Sequence, residues 1–350
     1  MHETREPLRL RPVRDIGDQA AIRVKKRVIA HIETCRPDLI FYAGLVSLAG
    51  ALLASDHWTA WRLVGAWAAP TVGWFAAMYG GDYFDRDLDA IAKSQRPIPS
   101  GRMRPKEALA GMVANIVLGA VIVTILNPLG LIIVVMAALI GVSYSKFFKA
   151  RGIYGNIARG AITALAFIMG TMASSPRPPL YLLPLSLVFW LHDSGSNVVG
   201  AICDAEGDRK GGYLTFPVRH GDDVALRALI GFDALCLGLA IGYPFVLSAR
   251  FNLAIYGSFL AVATSLGVVT LVLLTRAPRP IPRLDALRAH EVLVVERLVL
   301  AAAFIAAVTS AWLGVALVVP SAAATLLASI VIMRPSYEPN RLRWRKVAAD

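Results

Sequence analysis

The feature that most constrains this chain is a succession of apolar stretches, each about the length that crosses a bilayer as a helix. In hydrocarbon every backbone N–H and C=O must find its partner inside the protein, so unbroken runs of about 20 apolar residues point to spanning helices. Candidate spans run over 39–55, 60–84, 106–126, 129–145, 156–174, 180–203, 224–247, 253–275 and 291–312, with 315–333 as a further candidate despite Pro320. A hydrophobic fraction of 56% over 350 residues excludes an ordinary soluble domain. The expected fold is all-α: a polytopic membrane bundle of nine transmembrane helices, ten if the last candidate also spans.

Orientation follows from charge. The segment before Pro37 is rich in Lys and Arg and has no apolar core of the kind a cleaved signal needs, so the N-terminus is expected to stay cytoplasmic. From there, every Lys and Arg except Arg62, Arg177 and Arg250 falls in a segment assigned to the N-terminal side of the membrane, as the positive-inside bias requires. The net charge of +12 is then accounted for by orientation and lipid headgroups, and no aromatic-basic platform points to nucleic acid. Cys35, Cys203 and Cys236 are too few and too scattered for a disulfide framework or a zinc site. Val24, Val28 and Ile32 recur at i, i+4 and i+8 beside Arg23, Lys25, Lys26 and Arg27, the pattern of a helix lying on a membrane surface. The expected domain plan is a cytoplasmic segment with that surface helix (1–36), a transmembrane domain (37–334) and a basic cytoplasmic tail (335–350). A bacterial or archaeal cell membrane is the expected location.

Two acidic clusters end apolar runs on the cytoplasmic side. Asp82, Asp85 and Asp89 stand at i, i+3 and i+7 and share one helix face, while Asp87 points elsewhere. Asp204, Glu206 and Asp208, followed by Arg209, close another run in the same way. Like charges on one face repel unless a cation joins them. Clustered carboxylates suit Mg²⁺, which binds through a few of them together with the oxygens of a phosphate-bearing substrate. Asp85 and Asp204 are 119 residues apart, as are Asp89 and Asp208, and Pro97–Gly101 and Pro217–Gly221 both read P-x-x-x-G. The expected architecture is therefore two parallel four-helix repeats around a central cavity, with one site between them. Between the clusters lie a basic, proline-stiffened loop from Lys93 to Lys106 and a second basic segment containing Tyr144, Lys149 and Arg151. Arg159 stands one turn inside a span. Deeper still, His192, Asp193 and Asn197 sit in an apolar run where polar groups are expensive. Asp193, Asn197, Asp204 and Asp208 share a face, so Asp193 and Asn197 are expected to line the cavity roughly 16 Å and 10 Å beyond Asp204.

The segments Asp82-Tyr83-Phe84-Asp85-x-x-x-Asp89, Arg96-Pro97-Ile98-Pro99-Ser100-Gly101 and Asp204-x-Glu206-Gly207-Asp208-Arg209 resemble the motifs of the UbiA superfamily of intramembrane prenyltransferases. Tyr144-Ser145 through Lys149, and Gly155-Asn156, are similar to the segment that joins two spans in that family. The resemblance implies a helical bundle in which two Mg²⁺ ions bridge the diphosphate of an isoprenoid donor, held by Asp82, Asp85, Asp89, Asp204 and Asp208 as the metal-binding and catalytic carboxylates. Arg96, Lys149, Arg159 and Arg209 are then expected on the diphosphate. The remaining substrate contacts are expected from Tyr144, Asp193 and Asn197. Gly81 departs from the asparagine that usually opens the first motif. The RPIPSG and DxEGDR forms look most like the branch containing chlorophyll and archaeal-lipid synthases.

The expected activity is Mg²⁺-dependent transfer of a polyprenyl group from its diphosphate to a lipophilic acceptor. An allylic diphosphate ionises when positive charge offsets what accumulates on the leaving group. The resulting cation needs a dry cavity, with Trp74, Phe75, Tyr83, Phe84 or Tyr144 offering aromatic faces. Two alternatives stay open: a UbiA-type terpene cyclase, in which the cation is captured by its own double bonds, and a transporter built on parallel repeats.

Overall fold

The computed structural model describes residues 13–247 and 251–337, and these form helices throughout, with one isolated bridge between Arg151 and Leu214. The chain opens with α1 (Val13–Cys35), α2 (Phe41–Ala54), α3 (Ala60–Phe84) and the short α4 (Arg86–Ala92). It continues through α5 (Pro105–Leu126), α6 (Leu131–Ser143), α7 (Ile153–Ser174), α8 (Leu183–Lys210) and the short α9 (Phe216–His220). It closes with α10 (Asp222–Gly242), α11 (Leu253–Arg276), α12 (Arg283–Val308), α13 (Ala311–Ala328) and a last turn, α14 (Arg334–Tyr337). Arg250 and most of the basic tail from 335, Arg343 included, lie outside the described residues.

All ten candidate segments fall on helices, and six helices are long and apolar enough to cross a membrane by length and composition. These are Pro105–Leu126, Pro128–Phe148, Ile153–Ser174, Asp222–Phe245, Leu253–Arg276 and Ala311–Met333. Five of the nine expected spans are among these, with α13 as the sixth, and the four that are not, α2, α3, α8 and α12, have chemical reasons: α3 carries Arg62, Pro70, four glycines and Asp82 along its length. The helix α2 has only 14 residues. By contrast α8 and α12 are longer but carry the polar groups that face inward: His192, Asp193 and Asp204 on one, Glu291, Glu296 and Arg297 on the other. Pro320 lies inside α13 without ending it, as prolines do in membrane helices.

The largest apolar core joins α2, α7, α8, α10, α11 and α12 around Phe167, Phe189 and Phe304, whose rings meet at centroid distances of 5.3 Å and 5.4 Å. In contrast, α5, α6, α11 and α13 leave rows of Val, Leu and Ile exposed, among them Val117, Ile125, Leu139, Val268 and Leu327. Apolar surface of that extent calls for a lipid or protein covering.

In α1, Val24, Val28 and Ile32 are exposed while Ala30 and Thr34 are fully buried. The end of the helix docks on α3, where His31 Nδ1 lies 2.8 Å from the Tyr79 hydroxyl. Glu33 accepts two bonds from Arg102, at 2.8 and 2.7 Å, so α1 also pins the loop before α5. Both P-x-x-x-G segments end in a glycine with positive φ, +73° at Gly101 and +80° at Gly221, a conformation that costs glycine little.

Candidate active site

Each acidic motif is placed by a helix ending. At Asp85 the backbone leaves α3 and re-enters a helix as α4, so Asp82 comes from α3, Asp85 from the junction and Asp89 from α4. The helix α4 packs against the end of α8, which carries Asp204 and Asp208. Close approach requires Gly207: a Cβ there would stand 2.8 Å from the Ala92 methyl. The two motifs are thereby drawn to the same end of the bundle.

The carboxylates meet cations before they meet one another. Lys149 Nζ lies 2.5 Å from Asp85 Oδ2, and Arg96 Nη1 lies 2.7 Å from Asp89 Oδ2 and 3.7 Å from Asp82 Oδ1. Asp82 also accepts from Thr34 at 2.9 Å and from Arg36 at 3.3 Å. Asp204 is held from two sides, by Lys93 at 2.7 Å and Arg283 at 2.8 Å. Lys149 reaches Asp85 because the backbone from Tyr144 to Phe148 forms one widened π-helical turn, closed by a 2.9 Å bond from Lys149 N to Tyr144 O. Burial and the neighbouring Arg96 push Lys93 down to about 8 against the pull of Asp204. For Lys149 burial works in the same sense, but Asp85, Tyr144 and Asp208 outweigh it and hold the ammonium above the usual lysine range.

Asp85, Asp204 and Asp208 border a cavity of about 640 Å³ that runs from this charged end into the bundle. Arg96, Tyr144, Lys149, Arg159, Asp193 and Asn197 border it as well. Asp82 and Asp89 are buried one layer behind its wall, and Arg209 is exposed away from it. Further in, Asp193 accepts from Thr163 at 2.7 Å and pairs with Arg159 at 3.5 Å, while Arg159 rests on the Trp74 ring at 5.2 Å. The Asn156 amide donates to Asn197 at 3.0 Å. Trp74, Phe84 and Tyr144 line the cavity, whereas Phe75 and Tyr83 are not on its wall.

Sequence reasoning left four charged groups out of the site. Arg36 reaches the carboxylates from just after α1 and Arg283 from the start of α12, and Lys93 appeared only as a loop charge. Arg297 also borders the cavity, although it was assigned with the cytoplasmic segments; it lies in the middle of α12, and its signal was a charged pair, Glu296-Arg297, inside an apolar run.

The donor set fits Mg²⁺ shared with a substrate. Among the described residues no three His, Cys, Asp or Glu side chains converge closely enough to hold a metal ion unaided. Mg²⁺ takes a few carboxylates and completes its shell with water and phosphate oxygens. Asp85 Oδ1 is buried with no hydrogen-bond partner among the described residues, so one hard oxygen is already available on the wall.

Comparison with known proteins leads to the same place. A digeranylgeranylglyceryl phosphate synthase of Ignicoccus hospitalis is 32% identical over 247 residues, covering 69% of this chain and 79% of that protein. A synthase of the same name from Methanopyrus kandleri is 29% identical over 67% and 90% of the two chains. The structure of a UbiA homolog from Archaeoglobus fulgidus bound to GPP and Mg²⁺ aligns with a TM-score of 0.63 at 19% identity, over 80% of this chain and 99% of that one. The apo structure of a UbiA homolog from Aeropyrum pernix K1 aligns at 0.64 and 18%, over 76% and 96%. At those identities the solved structures establish a common fold. Sequence carries the relationship further, since the profile of the UbiA prenyltransferase family matches residues 43–289, and the chain therefore belongs to that family as a membrane prenyltransferase.

Proposed function

We propose that this protein transfers a polyprenyl group from an isoprenoid diphosphate to a lipophilic acceptor inside the membrane. The observation that carries the reading is the asymmetry of the cavity. One end is lined by Asp85, Asp204 and Asp208 with Lys149, Lys93 and Arg283, and the far wall by apolar groups such as Val123, Ile133, Leu165 and Met169. A diphosphate head with a prenyl tail has that same polarity.

Asp85, Asp204 and Asp208 would hold Mg²⁺ from the wall, supported by Asp82 and Asp89 behind; two ions, one for each motif, is our reading. Bound there, Mg²⁺ would supply positive charge that offsets the charge growing on the departing diphosphate. Lys149, Lys93, Arg96 and Arg283 would turn from carboxylates to diphosphate oxygens and add to that offset as the C–O bond breaks. Trp74, Phe84 and Tyr144 present aromatic faces to the allylic cation while the apolar wall keeps water away. The names of the relatives make the hydroxyl of a prenylglyceryl phosphate the first acceptor to test. Its oxygen would bond to the allylic carbon and release its proton.

One observation keeps cyclisation as a second reading. Gly81 lines the cavity, and a Cβ at that position would meet no atom within 4 Å, leaving room for a folded prenyl chain beside the first motif. We further read α2, α3, α5 to α8 and α10 to α12 as nine spans, with α13 as a tenth. These form two parallel repeats in a bacterial or archaeal cell membrane, with the carboxylate end toward the cytoplasm. In the same plan α1 lies on the cytoplasmic surface and residues 335–350 form a cytoplasmic tail.

Purified protein incubated with geranyl, farnesyl or geranylgeranyl diphosphate and Mg²⁺, with and without a prenylglyceryl phosphate, tests the reading. A prenyl ether formed only when donor and acceptor are both present is the expected result. A cyclic hydrocarbon formed without acceptor would replace transfer by cyclisation, and failure to consume any donor would overturn both.

A further inference from the structure

Arg297 is a charged side chain in the middle of a membrane helix that nothing in the described protein neutralises by contact. It is 4% exposed, and its Nε and Nη2 are buried without a hydrogen-bond partner. Among the described residues it forms no ion pair: Asp193 pairs with Arg159 and Glu296 with His192. Its one close partner is an aromatic face, the Tyr42 ring, 4.9 Å from the guanidinium carbon. Charged groups at this depth ordinarily pair with one another or line a polar pathway. Arg297 follows the second course, since it borders the cavity.

The setting is built to hold it there. Tyr42 is fixed from behind by a buried chain: its hydroxyl lies 3.3 Å from His192 Nδ1, and His192 Nε2 lies 2.5 Å from Glu296. These bonds also bring Arg297 level with Asp193, because each is the chain neighbour of a bonded residue. The charged groups that act most strongly on Arg297 are Asp193 and Arg159, with Asp38 acting more weakly. Asp193 is already engaged by Arg159 and Thr163. The wall at this level therefore carries two guanidinium groups against Asp193, which is already committed, and the more weakly acting Asp38. A guanidinium is always charged and pairs best with the two oxygens of a carboxylate or phosphate.

We propose that Arg297 receives an oxyanion of the acceptor, a carboxylate or a phosphate, inside the cavity. This rests on the prenyl-transfer reading and narrows it: the acceptor is an amphiphile whose negative group stands apart from the atom that takes the prenyl chain. Arg159 flanks the same subsite. Arg297 acts on acceptor binding and has no part in holding the donor diphosphate.

The test uses the full-length protein, its Arg297→Gln and Arg297→Lys variants, and two pairs of acceptors that differ in charge. One pair is a hydroxybenzoate and its methyl ester; the other is a prenylglyceryl phosphate and the corresponding phosphate-free prenylglycerol. In the wild type, the anionic member of one pair should be used about tenfold to a hundredfold more efficiently, the range expected for a hydrogen bond to a charged group. Whichever pair responds identifies whether the oxyanion is a carboxylate or a phosphate. Arg297→Gln should abolish that preference by raising the acceptor KM while the donor KM stays within about twofold, and Arg297→Lys should retain part of it. A wild type indifferent to charge in both pairs overturns the proposal, as does an Arg297→Gln enzyme that keeps the preference. Should Arg297→Gln fail to fold, an Arg297→Lys enzyme with unchanged anionic-acceptor KM overturns it. If no donor is consumed at all, binding of the four acceptors without turnover still decides. Charge-dependent binding that Arg297→Lys weakens supports the subsite, and charge-independent binding overturns it.

Discussion

Asp85 and Asp204 stand on the cavity wall with Asp208 but differ from it in what reaches them: one keeps a buried oxygen unpartnered among the described residues while Lys149 holds its other oxygen, and the other is clamped between Lys93 and Arg283. Asp85→Ala and Asp204→Ala should each lower transfer by at least about a hundredfold, since each removes a charge from the site that would hold the metal and leaves a buried cation behind. The double variant should lose far less than the product of the two, because both act on one bound group. Single-turnover rates across a Mg²⁺ titration check this, and full turnover in chelator would contradict it. Arg209 leads to the opposite expectation. Position in the second motif made it a diphosphate contact in the sequence, yet it is exposed and off the cavity wall. Arg209→Ala should keep transfer within about twofold of wild type and shift stability by no more than about 0.5 kcal/mol. A tenfold rise in donor KM would return it to the site.

At the scale of elements, the cavity is shaped by what α3 and α8 lack. Gly73 and Gly200 both border it, and a Cβ on either would meet nothing within 4 Å. Gly73 lies roughly 18 Å along α3 from Asp85, and Gly200 roughly 6 Å along α8 from Asp204. A leucine at Gly73 should fill the remote end and one at Gly200 the space beside the head group. We expect Gly73→Leu to lower kcat/KM for geranylgeranyl diphosphate about tenfold relative to geranyl diphosphate, within the range by which pocket shape discriminates. Gly200→Leu should depress every donor alike. Equal losses with Gly73→Leu would place the prenyl tail elsewhere. Such a division could not be read from the chain, where a glycine in an apolar run says nothing about the space around it. The helices and both acidic motifs were legible because hydropathy and like-charge clustering are local signals. The cations on Asp204 were not, since Lys93 and Arg283 arrive from segments on either side of it that only the packed bundle brings together. Arg297 was within reach of sequence reasoning. A charged pair inside an apolar run marks an inward-facing group, but counting that segment with the cytoplasmic loops hid it.

For the whole molecule, the described surface divides into apolar flanks and charged ends. Exposed Val, Leu and Ile cover the flanks of α5, α6, α11 and α13. Ser94, in the loop after α4, and Lys210, the last residue of α8, are both exposed and lie at the end that gathers Asp85, Asp204 and their cations. Arg177 is exposed in the link between α7 and α8. Since α8 runs from that link to the acidic cluster, the link and the cluster must lie on opposite faces if α8 spans. On that proposed plan, the basic bias leads us to expect the cluster on the cytoplasmic side. Single cysteines at Ser94 and Lys210 should be reached by a membrane-impermeant maleimide only after cells are opened, and one at Arg177 in intact cells. The native thiols allow the measurement, because Cys203 and Cys236 are buried and Cys35 is half-buried and replaceable by serine. Labelling of Ser94 and Lys210 from outside, with Arg177 protected, would invert the molecule. Labelling of all three from one side would mean that α8 does not span, and the cavity could not then lie within the bilayer.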